Sequence, residues 1–211
     1  MPPTIIQSNT TPFKQVPIDP VTLDIIENAL RNARIEMDAT LVRTAMSPGI
    51  REQGDAFPLI ADPTGKMIVG QFGSFIGGFL DNFEGTLEDG DLIFLSDPYS
   101  VDGAVSHSND WLVLLPVFKD GRLIAYTSMF GHQSDIGGKV VGSMPINARS
   151  IFEEGVRIPP VKIWKKEIEF KFTTWGIKEE QRTSFRKMRQ GAIKALRSNM
   201  VEDLLNRQRV G

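Results

Sequence analysis

The chain has only two histidines, and each is followed three residues later by an aspartate: His107-Ser-Asn-Asp110 and His132-Gln-Ser-Asp135. An imidazole beside a carboxylate supports two kinds of chemistry. As a neutral ring with a hard oxygen donor, the pair suits a divalent metal such as Mn, Fe or Zn, with water in the open positions. As an acid–base pair, the carboxylate orients the ring and the ring moves a proton. A purely structural role is the third option, with the rings capping strand ends through local hydrogen bonds.

Other polar groups are candidates for the same chemistry. Asp97, in Asp97-Pro98-Tyr99, leaves a strand end and can reach a shared pocket or simply start a turn, with Asp102-Gly103 just beyond. Gly137-Gly138 follows Asp135 and signals either backbone approaching a ligand or a demand for positive φ. Arg43, then Arg51, Glu52 and Asp55 in the next loop, can bind an anion or form a solvated face. Glu153-Glu154 with Arg157 reads as an ion pair or as part of a site.

Elements must position these groups. Asp19 as N-cap and Pro20 at the first helical position open a helix. Ile26, Leu30, Ala33, Met37 and Leu41 make one apolar stripe along it, and it should stop before Ser47-Pro48-Gly49. The period then changes. Phe57–Ala61 and Met67–Gly70 flank the turn Asp62-Pro63-Thr64-Gly65 and predict a hairpin. Gly70 to Gly78 reads as a glycine-rich loop. Asp91–Ser96, Trp111–Phe118 and Arg122–Met129 read as strands, the last two joined by Lys119-Asp120-Gly121. His107 precedes the second of these and His132 follows the third. If they are antiparallel neighbours, both His-Asp units fall at one end of the sheet. Gly131 to Pro160 reads mostly as loop, of a length that usually serves function.

The predicted fold is α+β: an N-terminal helix, a mixed or antiparallel sheet with long functional loops, and a C-terminal helical segment. The domain plan is an extended arm over 1–18, the main domain over 19–170 and a basic helical tail over 171–211.

Composition closes off several functions. With 211 residues, 41% of them hydrophobic, the chain can bury a real core. The longest apolar run, Trp111 to Phe118, is 8 residues, too short for a bilayer span of about 20. No basic n-region with an apolar h-region opens the chain, and there is no cysteine for disulfides or thiolate chemistry. The expected setting is the cytoplasm. Net charge is −2, yet Lys178 to Gly211 carries 9 basic against 4 acidic residues. One aromatic, Phe185, in that stretch argues against base stacking, so a nucleic-acid partner is not expected. Neither GxxxxGK[ST], GxGxxG nor GxSxG is present, so ATP, if used, is held by another chain.

An ordered set of motifs carries a family resemblance: DPVTLDIIENAL (19–30), RTAMSP (43–48), GDLIFLSDPY (90–99), GHQSDIGG (131–138), GSMP (142–145) and EEGVRIPPVK (153–162). Residues 19 to about 165 resemble the N-terminal portion of the hydantoinase B/oxoprolinase family, which includes acetone and acetophenone carboxylase subunits. GHQSDIGG leans toward the carboxylase branch. The resemblance implies a subunit of an ATP-dependent enzyme whose hydantoinase A-type partner binds ATP and Mg and makes phosphorylated intermediates. It implies carboxylation of a ketone with bicarbonate, or hydrolysis of a cyclic amide, or a non-catalytic assembly role in such a complex. It implies a divalent metal at His132 and Asp135; where relatives have a further histidine ligand this chain has Arg157, so either His107 stands in for that ligand or the Arg157 charge takes the place of the cation. His107, Asp110, His132 and Asp135 become the expected catalytic residues; Arg157, Asp97, Gly137 and Gly138 the substrate-binding ones. Relatives are usually more than twice as long, so a second chain is expected to complete the B-type subunit.

Overall fold

A computed structural model describes residues 17–71, 75–165 and 168–169. The basic tail expected over 171–211 and the arm up to residue 16 lie outside them.

The first helix, α1 (Pro20–Thr44), forms as its sequence predicts. The Asp19 carboxylate accepts from the Thr22 backbone N–H at 3.0 Å, and Pro20 stands at the first helical position. Ala29, Ala33, Met37 and Leu41 are buried along one stripe, whereas Ile26 and Leu30 of the expected stripe are half-buried. A second short helix, α2 (Pro48–Gln53), follows where a loop was expected, because Pro48 is acceptable in a first turn and Gly54 ends it in the left-handed region. Arg43, Arg51 and Glu52 are exposed.

Seven strands make one sheet: β1 (Ala56–Ala61), β2 (Met67–Val69), β3 (Leu92–Leu95), β4 (Asp110–Lys119), β5 (Arg122–His132), β6 (Val161–Lys165) and β7 (Ile168–Glu169), in the order β2-β1-β5-β4-β3-β6-β7. Every described pairing is antiparallel, so the mixed component is absent among the described residues. The strand β6 was not anticipated. It adds to the edge of β3, where the Lys162 ammonium, 2.6 Å from the fully buried Asp91 carboxylate, ties the two strands by charge.

Side-chain alternation gives each face of the sheet its own core. On one face Ile60, Phe94, Val113 and Met129 form a core with Met37 and Leu41 of α1. On the other Leu59, Ile93, Leu112, Leu114 and Tyr126 pack against Ile76 and Phe79 of the third helix, α3 (Ile76–Asn82). This helix replaces part of the loop expected over 70–78. Its Gly78 serves close approach rather than flexibility: a Cβ there would lie 2.2 Å from the Val101 carbonyl oxygen.

Candidate active site

The β4–β5 register brings the two histidine motifs together. Asp110 and His132 are direct cross-strand partners, and the His107 and His132 rings lie 5.2 Å apart between centroids. Asp110 alternates with Leu112 and Leu114, and His132 with Phe130, so both project on the α3 side of the sheet. Asp55 joins them from just ahead of β1. It immediately precedes Ala56, the partner of Gly131, and its carbonyl accepts from the His132 N–H at 3.1 Å. The sheet end thus carries three adjacent strands' worth of acid–base groups.

Burial makes the cluster chemically unusual. Asp110 is 8% exposed, and its carboxyl is pushed up to about 6, mainly by loss of water, with the Asp55 charge adding to the rise and His132 opposing it. The His107 imidazole is held below its ordinary value by desolvation, against the pull of Asp55 and Glu154. Its Nδ1 sits 2.8 Å from the Ser106 hydroxyl. Its Nε2 lies 3.5 Å from Asp110 Oδ1, within ion-pair range, but is buried and makes no hydrogen bond there. A neutral ring and a carboxyl that titrates near neutrality, side by side, form a centre able to give and take a proton. The His132 carbonyl is fixed from behind by the Ser47 hydroxyl at 2.8 Å.

Asp135 goes elsewhere. Its Oδ1 accepts from the Gly137 N–H and from the Ser143 hydroxyl, both at 2.8 Å, and those bonds hold its carboxyl below the usual range. Ser143, 1% exposed, also accepts from the N–H groups of Ile136 and Gly138 at 2.9 Å. Gly137 has a φ of 81° with open space at its Cα, and a Cβ on Gly138 would lie 2.7 Å from the Glu154 carbonyl oxygen. Both glycines are therefore explained by the loop's own folding.

The fit of a divalent metal follows from these facts. Among the described residues no three His, Asp or Glu side chains gather as a metal-binding set. The expected ligand Asp135 has an oxygen committed to its own loop, so His132, Asp135 and His107 as arranged do not fit a metal.

Arg157 and Asp97 pair as a unit, Nη1 to Oδ1 at 3.4 Å. Asp97 also caps the 3-10 turn Pro98–Val101, accepting from the Tyr99 N–H and the Ser100 hydroxyl. The Arg157 guanidinium lies 5.4 Å from the Tyr99 ring centre and 5.3 Å from that of Phe152. Glu153 pairs with Lys139 at 2.9 Å instead of with Arg157, and Asp102 accepts from Asn82 on α3.

Two residues of this site escaped the motif reading. Asp55 looked like one charge among several after α1, and only strand pairing moves it beside His132. Asn109, to which the motif reading gives no role, is 1% exposed, and its amide donates to the carbonyls of Gln133 and Gly142.

These elements make an α+β domain whose imidazole and carboxylate groups gather at one end of an open antiparallel sheet. The family model for hydantoinase B/oxoprolinase matches residues 19–195, and the chain belongs to that family. It is 36% identical over 159 residues to the caprolactamase β subunit of Pseudomonas jessenii, covering 70% of this chain and 26% of that protein. It is 29% identical over 139 residues to the acetophenone carboxylase δ subunit of Aromatoleum aromaticum, covering 59% and 20%. Among solved structures, the ATP-dependent caprolactamase from Pseudomonas jessenii superposes with a TM-score of 0.72 at 27% identity, over 92% of this chain and 35% of that one. Nucleotide-free acetone carboxylase superposes at 0.73 with 18% identity, over 90% and 26%, a likeness of fold. The chain spans about a quarter of the length of the caprolactamase subunit it matches. No helix among the described residues is long and apolar enough to cross a membrane.

Proposed function

We propose that this chain carries the acid–base end of an ATP-dependent hydantoinase B-type enzyme, working on a small carbonyl compound that a hydantoinase A-type partner activates with ATP and Mg. The observation that carries the reading is the buried Asp110 carboxyl, the cross-strand partner of His132 and 3.5 Å from the His107 Nε2. In a cyclic amide, phosphorylation of the carbonyl oxygen makes the carbon electrophilic. Water then adds to that carbon, its proton passes to the His107–Asp110–His132 centre, and the centre returns a proton to the departing nitrogen as the C–N bond breaks and the ring opens. The acyl phosphate this leaves takes a second water and releases the carboxylate and inorganic phosphate. Low exposure at the site slows wasteful hydrolysis of the activated species. The Arg157 cation, braced by Asp97, suits a phosphate or carboxylate group.

A cyclic amide is the favoured substrate class because identity to the caprolactamase subunit, 36%, exceeds that to the acetophenone carboxylase subunit, 29%. The second reading is ketone carboxylation with bicarbonate, favoured by the GHQSDIGG motif. There the partner's ATP phosphorylates bicarbonate, the carboxyphosphate breaks down to CO2 and inorganic phosphate, and the same centre takes the α-proton of the ketone so that the enolate carbon bonds to CO2.

The test is ATP hydrolysis by the chain assembled with an A-type partner and the remainder of a B-type subunit. Stimulation by caprolactam, hydantoin or 5-oxoproline without bicarbonate supports the amide reading. Stimulation by acetone or acetophenone only with bicarbonate transfers the assignment to carboxylation. Assembly with no stimulation by any of them leaves the chain a scaffold.

A further inference from the structure

Asn109 stands between His107 and Asp110 and is almost wholly buried, which calls for polar partners. It has them on two separate stretches of chain. Its side-chain nitrogen donates to the Gln133 carbonyl at 3.1 Å and to the Gly142 carbonyl at 3.2 Å, and its own carbonyl accepts from the Gln133 N–H at 2.9 Å. One bond therefore grips the residue after His132. The other grips the far side of the loop that carries Asp135, Gly137 and Gly138. A neutral amide with two N–H groups suits two facing carbonyls; a carboxylate or hydroxyl cannot supply both donors.

The geometry points to Asn109 as a positioning residue for the acid–base centre. It latches the 133–142 loop to the start of β4, so that His107 and Asp110 on one side and His132 on the other keep their mutual placement. It touches no reacting group and acts through the backbone on either side. The inference rests on the reading of His107, Asp110 and His132 as the working centre.

The chain's two histidines make a direct readout possible, since each ring can be resolved by NMR in labelled full-length protein. In wild type, slow solvent exchange of the Asn109 side-chain amide protons and a contact signal between the two imidazole rings are expected. Fast exchange of those protons overturns the proposal without any variant. In Asn109→Asp, an isosteric change, and in Asn109→Ser, the inter-ring signal should be lost and both sets of ring shifts should move. Asn82→Asp, which removes a comparable amide bond on α3, should leave them in place. Unmoved rings in both Asn109 variants, or equal movement in the Asn82 variant, overturns the assignment. In the assembled enzyme, kcat for substrate-dependent ATP turnover should fall about 10²-fold in Asn109→Asp with KM little changed. Moved rings with normal turnover would leave the latch standing and remove the acid–base reading instead.

Discussion

Asp110 and Asp135 each follow a histidine by three residues, and the fold gives them opposite surroundings. Asp110 lies on a strand, loses most of its water, faces another acid in Asp55, and has its carboxyl raised to about 6. Asp135 lies in an exposed loop, accepts two hydrogen bonds from its own neighbours, and is held in the charged form. The difference teaches that a short motif fixes which groups are near each other only if the chain between them is regular. On β4 the pairing with β5 decides Asp110's partner, and that partner is His132 from the other motif. In the loop, local turn formation captures Asp135 before any distant group can.

The sharpest way to break this contrast is His132→Ala. Substrate-dependent ATP turnover by the assembled enzyme should fall about 10²- to 10⁴-fold with assembly intact. Full activity would remove His132 from the mechanism. Asp110→Asn should cost about 10²-fold in turnover, whereas Asp135→Asn, which keeps a carbonyl oxygen to accept from Gly137 and Ser143, should cost far less. Equal losses in the two variants, measured side by side, would dissolve the distinction drawn between them.

Ser143→Ala probes the loop by itself. It leaves the buried N–H of Ile136 without its acceptor and should lower unfolding stability by about 1–3 kcal/mol in a denaturant titration. Since Ser143 serves Asp135 and not Asp110, the His107 and His132 ring signals should change little.

The smallest effect is in the pH dependence of stability. Folded Asp110 keeps its proton up to about 6, while an unfolded aspartate releases it near 3.8. Between those values the folded state binds more protons, so this group's contribution falls as pH rises through the window. Asp110→Asn removes that loss. The melting-temperature difference in favour of the variant should therefore widen from about pH 4 to about pH 7. His107, held low by burial, works the other way: its stability cost is greatest in acid and fades as pH rises toward its ordinary 6.5. A difference that stays flat over this range would mean that Asp110 titrates as an ordinary exposed acid.

Much of the scaffold was legible in the residues. Asp19-Pro20, the Ile26-to-Leu41 stripe, the Asp62-to-Gly65 turn and the Lys119-Asp120-Gly121 turn each encode local structure through capping, burial period or backbone preference, and each element formed. The glycine-rich stretch misled because Gly77 and Gly78 sit within α3, where the absent side chain of Gly78 permits contact with the Val101 backbone. The strand β6 escaped because its short segment directly follows Pro159-Pro160 and takes its support from β3.

The residues alone were enough to read an α+β fold, the motifs of the hydantoinase B/oxoprolinase family, and histidine motifs flanking adjoining strands. All three are properties of local propensity or of linear order. It took the folded sheet to set Asp55 beside His132, to make Asp110 the carboxylate altered by burial, and to give Asp135 to its own loop. Register and loss of water depend on what lies across the sheet, and no stretch of linear sequence states that.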